Sequence, residues 1–266
     1  MRLRTFILVS VLITPLLRAY ALRAQSPSPE LASLAVSSIQ DLEASVTVIH
    51  ADLPALERIN KDFGIAYRLR EVTIRYKEPD KFRMESRIGV MIVNGPTRFI
   101  HVPQLGLRKR DEVGESLSRR HSLLDLGIVT TEGIARLDAR HLRAEELRGI
   151  HTLVFAATPK PPAASRGSAP GVEKDRFLLW IDPHRKNVMR KRWMGNDGRV
   201  RATFDYLDPI EIAPGVWTPT KIEVRNGEGV LAGATKYRDV KINQSLPDTL
   251  FAIEGASKPR SSDDGR

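Results

Sequence analysis

The sequence predicts a mainly β fold: a curled antiparallel half-barrel of roughly ten strands with a lid of short helices over its concave face. Three observations carry that prediction. From Tyr67 onward, apolar residues recur at every second position over most of the chain. The runs are punctuated by turn dipeptides such as Asn94-Gly95, Asp182-Pro183 and Asp197-Gly198. Helical spacing is confined to a segment near the N-terminus and another between Leu123 and Arg148. Neither half carries enough helix to cover a sheet of its own, so one continuous, curling sheet is the simplest arrangement.

At the N-terminus, Met1-Arg2-Leu3-Arg4 is positive and precedes an apolar run from Phe6 to Leu17, bounded by Arg18. The run is shorter than the ~20 residues that span a bilayer. Ala19-Tyr20-Ala21 offers a cleavage site and Ala24 a second, so residues 1–24 read as an export signal. Leu31, Leu34, Ile39, Leu42 and Val46 then predict a helix, and Pro54 opens a shorter one carrying Leu53, Leu56 and Ile59, with Gly64 at its end. Strands follow at Val72 to Tyr76, at Phe82 and Met84, through Ile88, Val90 and Ile92, and at Ile100 and Val102. A polar stretch from Lys109 to Arg120 leads to Leu123, Leu124, Leu126 and Ile128, and to a helix expected from Thr131 to Arg148.

Ile150 to Ala157 reads as a strand, and the Pro-rich segment 159–172 as a flexible loop within a single domain spanning 25–256. The second half is strand and turn: Phe177 to Ile181, Val188 to Trp193, Val200 to Tyr206, Ile222 to Val224, and Tyr237 to Ile242. Residues 257–266 read as a polar, flexible tail.

Composition removes several classes of function. Hydrophobic residues at 41% and charged residues at 28% describe an ordinary globular chain, and a mean hydropathy of −0.26 argues against a multi-span membrane protein. The chain has no cysteine, which excludes disulfides, thiolate zinc sites, iron–sulfur clusters and cysteine nucleophiles. Without residues 1–24 the formal charge falls from +10 to +6, a moderate excess spread through alternating strands. With no nucleic-acid motif beside it, that charge gives no reason to expect a nucleic-acid partner.

The six histidines, His50, His101, His121, His141, His151 and His184, sit in no recognised catalytic or metal-binding frame, and the chain has no Gly-x-Ser-x-Gly elbow, Walker loop or dinucleotide fingerprint. Asp111-Glu112, Glu145-Glu146 and Asp263-Asp264 are adjacent pairs whose side chains diverge, unlike carboxylates that flank one bond. No metal, cofactor or catalytic residue is expected. The apolar strand residues are the better candidates. Phe82, Met84, Val90, Ile92, Phe99, Leu124, Trp180, Met189, Trp193 and Phe204 are the expected wall of a hydrophobic ligand cavity between sheet and lid, with plain core packing the competing role for each.

The order of motifs from Leu53 to Phe251 resembles the LolA and LolB-like periplasmic lipoprotein carriers. The first half supplies Tyr76-Lys77-Glu78-Pro79-Asp80-Lys81-Phe82-Arg83-Met84, the hairpin at Val93-Asn94-Gly95, and Phe155-Ala156-Ala157-Thr158-Pro159-Lys160. The second half supplies Trp180-Ile181-Asp182, Asp197-Gly198, Tyr206, Gly215-Val216-Trp217-Thr218-Pro219, Tyr237 to Asn243, and Leu246-Pro247-Asp248 with Leu250-Phe251. The resemblance implies a non-catalytic periplasmic monomer that holds acyl chains of lipids or lipoproteins and meets inner- and outer-membrane transport components transiently. Glu78 stands where the carriers commonly have a basic residue before the proline. A different lipid cargo, a sensor of envelope proteins with the same fold, and a cell-envelope hydrolase remain the alternatives.

Overall fold

The computed structural model describes residues 30–36, 39–113, 121–160 and 176–253. The expected export signal, the C-terminal tail and nearly all of the Pro-rich loop lie outside them. Among the described residues, thirteen strands form one antiparallel sheet: β1 (Asp41–Ala51), β2 (Glu71–Lys77), β3 (Lys81–Glu85), β4 (Val90–Asn94), β5 (Thr97–Val102), β6 (Leu107–Glu112), β7 (Leu137–Leu147), β8 (Ile150–Pro159), β9 (Arg176–Asp182), β10 (Asn187–Met194), β11 (Val200–Ala213), β12 (Val216–Asn226) and β13 (Leu231–Ile242). Their order is β6-β5-β4-β3-β2-β1-β13-β12-β11-β10-β9-β8-β7. Two meanders therefore run outward from a central pairing of β1 with β13, in which Leu42 faces Ile242. The outermost strands β6 and β7 do not pair, so the sheet curls without closing into a barrel.

The three strands beyond the expected ten are β1, β6 and β7, each for a physical reason. In β1, Leu42 and Val46 are four apart, a spacing that fits both a helix and a strand. The β-branched run Val46-Thr47-Val48-Ile49 and pairing on both sides settle it as strand, with Leu42, Ala44 and Val46 buried. The helix expected from Thr131 to Arg148 stops at Ala135. Beyond it β7 pairs with β8, and Arg148-Gly149, with φ of 54° and 77°, form a two-residue hairpin turn of the kind that needs positive φ at both positions. The polar stretch at Lys109 includes most of β6. Both β6 and β7 are edges rich in charge, which protects unpaired backbone from further pairing.

Two short helices, α1 (Leu53–Ile59) and α2 (Lys61–Arg68), link β1 to β2. Asp52 caps α1 by accepting from the Ala55 amide at 3.0 Å, and Asn60 caps α2 by accepting from that of Asp62 at 2.9 Å. Gly64 lies inside α2 instead of ending a helix. On β13, a Cβ at Gly233 would run into the Tyr67 ring, so glycine there lets α2 lie close on the sheet. The segment 121–135, which lies between β6 and β7 in sequence, packs over the concave face. It contains the turn Leu123–Leu126, closed by a reciprocal capping box between Ser122 and Asp125, an isolated bridge from Ile128 to Asn187, and α3 (Thr131–Ala135).

Candidate ligand-binding cavity

Between the concave sheet face and these helices lies a cavity of about 230 Å³. Its floor comes from strands on both sides of the central β1–β13 pair, including Val46, Ile74, Leu179 and Val224, and its roof from Phe63, Ala66 and Tyr67 of α2 with Leu124, Ile128 and Ile134. Phe63 and Phe204 meet across it with ring centroids 5.9 Å apart.

Of the ten residues expected in the wall, Phe82, Met84, Leu124, Trp193 and Phe204 line this cavity. Val90, Ile92, Phe99, Trp180 and Met189 do not. The register explains why: Arg83 faces Ile92, which faces Phe99, which faces Arg110, so these form one row on the convex face, opposite to Phe82 and Met84. The apolar run Val90-Met91-Ile92-Val93 has no alternation to reveal its inward positions, which are Met91 and Val93. The Asn94-Gly95 turn also sits one residue later than expected: Asn94 is the last paired residue, opposite Thr97.

Trp180 belongs to a small convex cluster with Leu147, Val154 and Met189, where its indole N–H donates to Glu145 and the Arg192 guanidinium covers its ring 5.1 Å from the centroid. Met189 falls at the register shift between Val188 and Arg190. Phe99 lies half-buried with Arg108 5.9 Å from its centroid.

Three polar clusters, none expected from the sequence, also border the cavity. On β5, Arg98 is buried and donates through Nε and Nη2 to the two oxygens of Asp111, at 2.9 and 2.7 Å, and through Nη1 to Asp62 of α2 at 2.5 Å. Burial opposes its charge, but the two carboxylates outweigh burial and raise its pKa, while hydrogen bonding to Arg98 holds Asp111 down at about 2. Glu78 accepts from Thr130 Oγ1 at 3.1 Å, and Thr130 in turn caps α3 by accepting from the Gly133 amide at 3.0 Å. Burial raises the Glu78 carboxyl pKa, and the Thr130 hydrogen bond only partly offsets it.

The third cluster centres on Lys191 of β10, whose Nζ donates to Asp125 Oδ1 at 2.7 Å. Burial opposes both charges. The mutual attraction prevails, assisted at Asp125 by His121, so the Asp125 carboxyl lies well below the usual carboxylate range and the Lys191 ammonium is held above its ordinary pKa. One sequence signal for Lys191 was available: it stands two positions from Trp193, on the same face of the strand. Its partner is far away in sequence and gives none.

Among the described residues, no group of three or more His, Asp or Glu side chains is arranged to hold a metal, and no helix is long and apolar enough to cross a membrane.

No protein-family model matches the chain, and no curated protein matches it. Solved structures do. A protein domain from Vibrio parahaemolyticus assigned to outer-membrane lipoprotein sorting aligns at 12% identity over 83% of this chain and 92% of its own, with a TM-score of 0.53. A LolA superfamily protein from Nitrosomonas europaea aligns at 16% identity over 84% and 94%, with a TM-score of 0.50. A DUF1329 family protein from Desulfovibrio piger aligns at 12% over 84% and 92%, with a TM-score of 0.55. The chain has the fold of LolA-superfamily and lipoprotein-sorting domains.

Proposed function

We propose that the protein is a non-catalytic periplasmic carrier that takes an acyl chain of a lipid or lipoprotein into its cavity and shuttles it towards the outer membrane. The observation that carries this reading is the cavity itself: apolar over most of its wall, about 230 Å³ in volume, and roofed by short helices. An apolar protein cavity of about 150 Å³ takes up benzene, and each methylene moved from water contributes roughly 0.8 kcal/mol. A chain lying against Phe82, Met84, Leu124, Trp193 and Phe204 would bind without covalent chemistry. The shared fold with lipoprotein-sorting domains supports the same reading, as does the N-terminal sequence, which has the pattern of an export signal.

The test is native mass spectrometry of the mature protein from a periplasmic fraction, with the released molecules identified after denaturation. The expected result is a lipid at near-unit stoichiometry that is lost in Phe82→Asp and Phe204→Asp and kept in Phe99→Asp, whose side chain lies on the convex face. Wall variants that stay folded and hold as much lipid as the wild type would overturn the assignment. A protein that stays empty after incubation with lipid or lipoprotein would return the reading to the sensor.

A further inference from the structure

Two of the polar clusters that border the cavity have evident structural work, since Arg98 ties α2 to the sheet and Glu78 supports the cap of α3. Lys191 and Asp125 are different. The turn that carries Asp125 uses one carboxylate oxygen, Oδ2, for its capping box with Ser122, and Leu123, Leu126 and Ile128 anchor it with buried side chains, so the turn does not need the cation that Lys191 places on the other oxygen. A neutral acceptor at 125 facing an apolar residue at 191 would hold it as well, because an ion pair taken out of water often stabilises less than packed hydrophobic side chains of the same volume.

The pair nevertheless opens on the cavity. The Lys191 side chain is 7% exposed and that of Asp125 is 30% exposed. The ammonium lies 4.8 Å from the Phe204 centroid and 5.6 Å from that of Phe177. Beside it the Tyr206 hydroxyl donates to the Leu124 carbonyl at 3.3 Å, and the second Asp125 oxygen accepts from the Ser122 amide at 3.1 Å, with His121 Nδ1 3.5 Å away.

We propose that Lys191 and Asp125 are the polar recognition point of the cavity, and that the group recognised is an uncharged oxygen function, a hydroxyl or an ester carbonyl, on a single-chain lipid. This inference rests on reading the cavity as a lipid site. The two charges of the pair balance, so an uncharged oxygen that hydrogen-bonds to the ammonium or the carboxylate leaves the site neutral. A carboxylate would bring a second negative charge against Asp125. A volume of about 230 Å³ suits one slim chain better than a bundle of acyl chains.

The experiment loads the delipidated mature protein with 1-octadecene, oleyl alcohol, methyl oleate and oleate in competition, and counts the bound species by native mass spectrometry. The wild type is expected to prefer the alcohol or the ester over octadecene by about tenfold or more, the scale of one hydrogen bond to a charged group. The preference is expected to fall to near parity in the double variant Lys191→Met, Asp125→Leu. Tyr206→Phe, which removes only a hydroxyl from the same cluster, moves the ratio in the same direction if the double variant does not fold.

An unchanged ratio in these variants, oleate as the tightest ligand, or equal loading of octadecene and alcohol by the wild type would each overturn the inference. Equal loading would leave the cavity a lipid site without a polar recognition point. A wild type that binds none of the four probes would remove the carrier reading as well.

Discussion

Replacing Lys191 alone with Met leaves the Asp125 carboxylate without its main cation, whereas replacing Asp125 with Asn as well removes the charge and keeps an acceptor for the Ser122 amide. The single variant is therefore expected to lose about 3–5 kcal/mol of stability and the double variant Lys191→Met, Asp125→Asn to recover most of it. Urea unfolding checks this, and equal midpoints for the wild type and the single variant would show that the pair carries no burden. Glu78 gives a prediction of opposite sign. Its pKa is raised by burial, so between the ordinary carboxylate range and that raised value the folded state binds more protons than the unfolded state, and stability falls as pH rises through the window. Glu78→Gln keeps an acceptor for Thr130 and removes the titration. It should raise the urea midpoint near neutral pH, with an advantage that vanishes as both states protonate towards about pH 4. An advantage independent of pH would mean that the substitution acts by packing alone. Neither site was legible in the sequence, because Lys191 and Asp125 lie 66 positions apart and Thr130 lies 52 from Glu78. The parity of Lys191 with Trp193 was the available hint, and it was masked by the arginines at 190 and 192.

The lid helices are too short to be stable alone, so what holds α2 is its contact with the sheet, above all the Asp62–Arg98 hydrogen bond and the Tyr67 ring over Gly233. Asp62→Asn is expected to increase amide exchange across Lys61–Arg68 more than in β1 or β13. Exchange raised equally throughout would mean that α2 does not open separately. Gly233→Ala pushes the Tyr67 ring off the sheet and should cost about 1–3 kcal/mol. Among the strands, ten could be read from alternation and turn residues. The others failed for identifiable reasons. Leu42 and Val46 satisfy both periods, and the charged edges β6 and β7 need no apolar stripe to be strands. The same limit governed the wall, since alternation placed Phe82, Met84, Trp193 and Phe204, while the unbroken run at Val90 to Val93 concealed its parity. Trp180 and Met189 were drawn to the wrong face by a small second cluster on the convex side.

Among the described residues the edges β6 and β7 stay apart, and the segment 121–135 closes the concave face with a capped turn, an isolated bridge and the five-residue α3. Such a closure leaves a cavity where a tighter core would otherwise form, so part of the native stability should depend on what fills it. A ligand that binds only the folded state adds about 2.7 kcal/mol at a free concentration one hundred times its Kd. In a domain of about 150–250 residues each kcal/mol moves Tm by about 2–4 °C. Delipidation of the mature protein is thus expected to lower Tm by about 5–10 °C, and reloading with the lipid found in the native preparation should restore it. The gain should shrink in Phe204→Asp, which puts a charge in the wall, and persist in Phe99→Asp on the convex face. If the delipidated and loaded proteins melt together, the cavity does not bind that lipid in preference to the unfolded chain, and the apolar chamber would then be a packing defect of the curled sheet instead of a binding site.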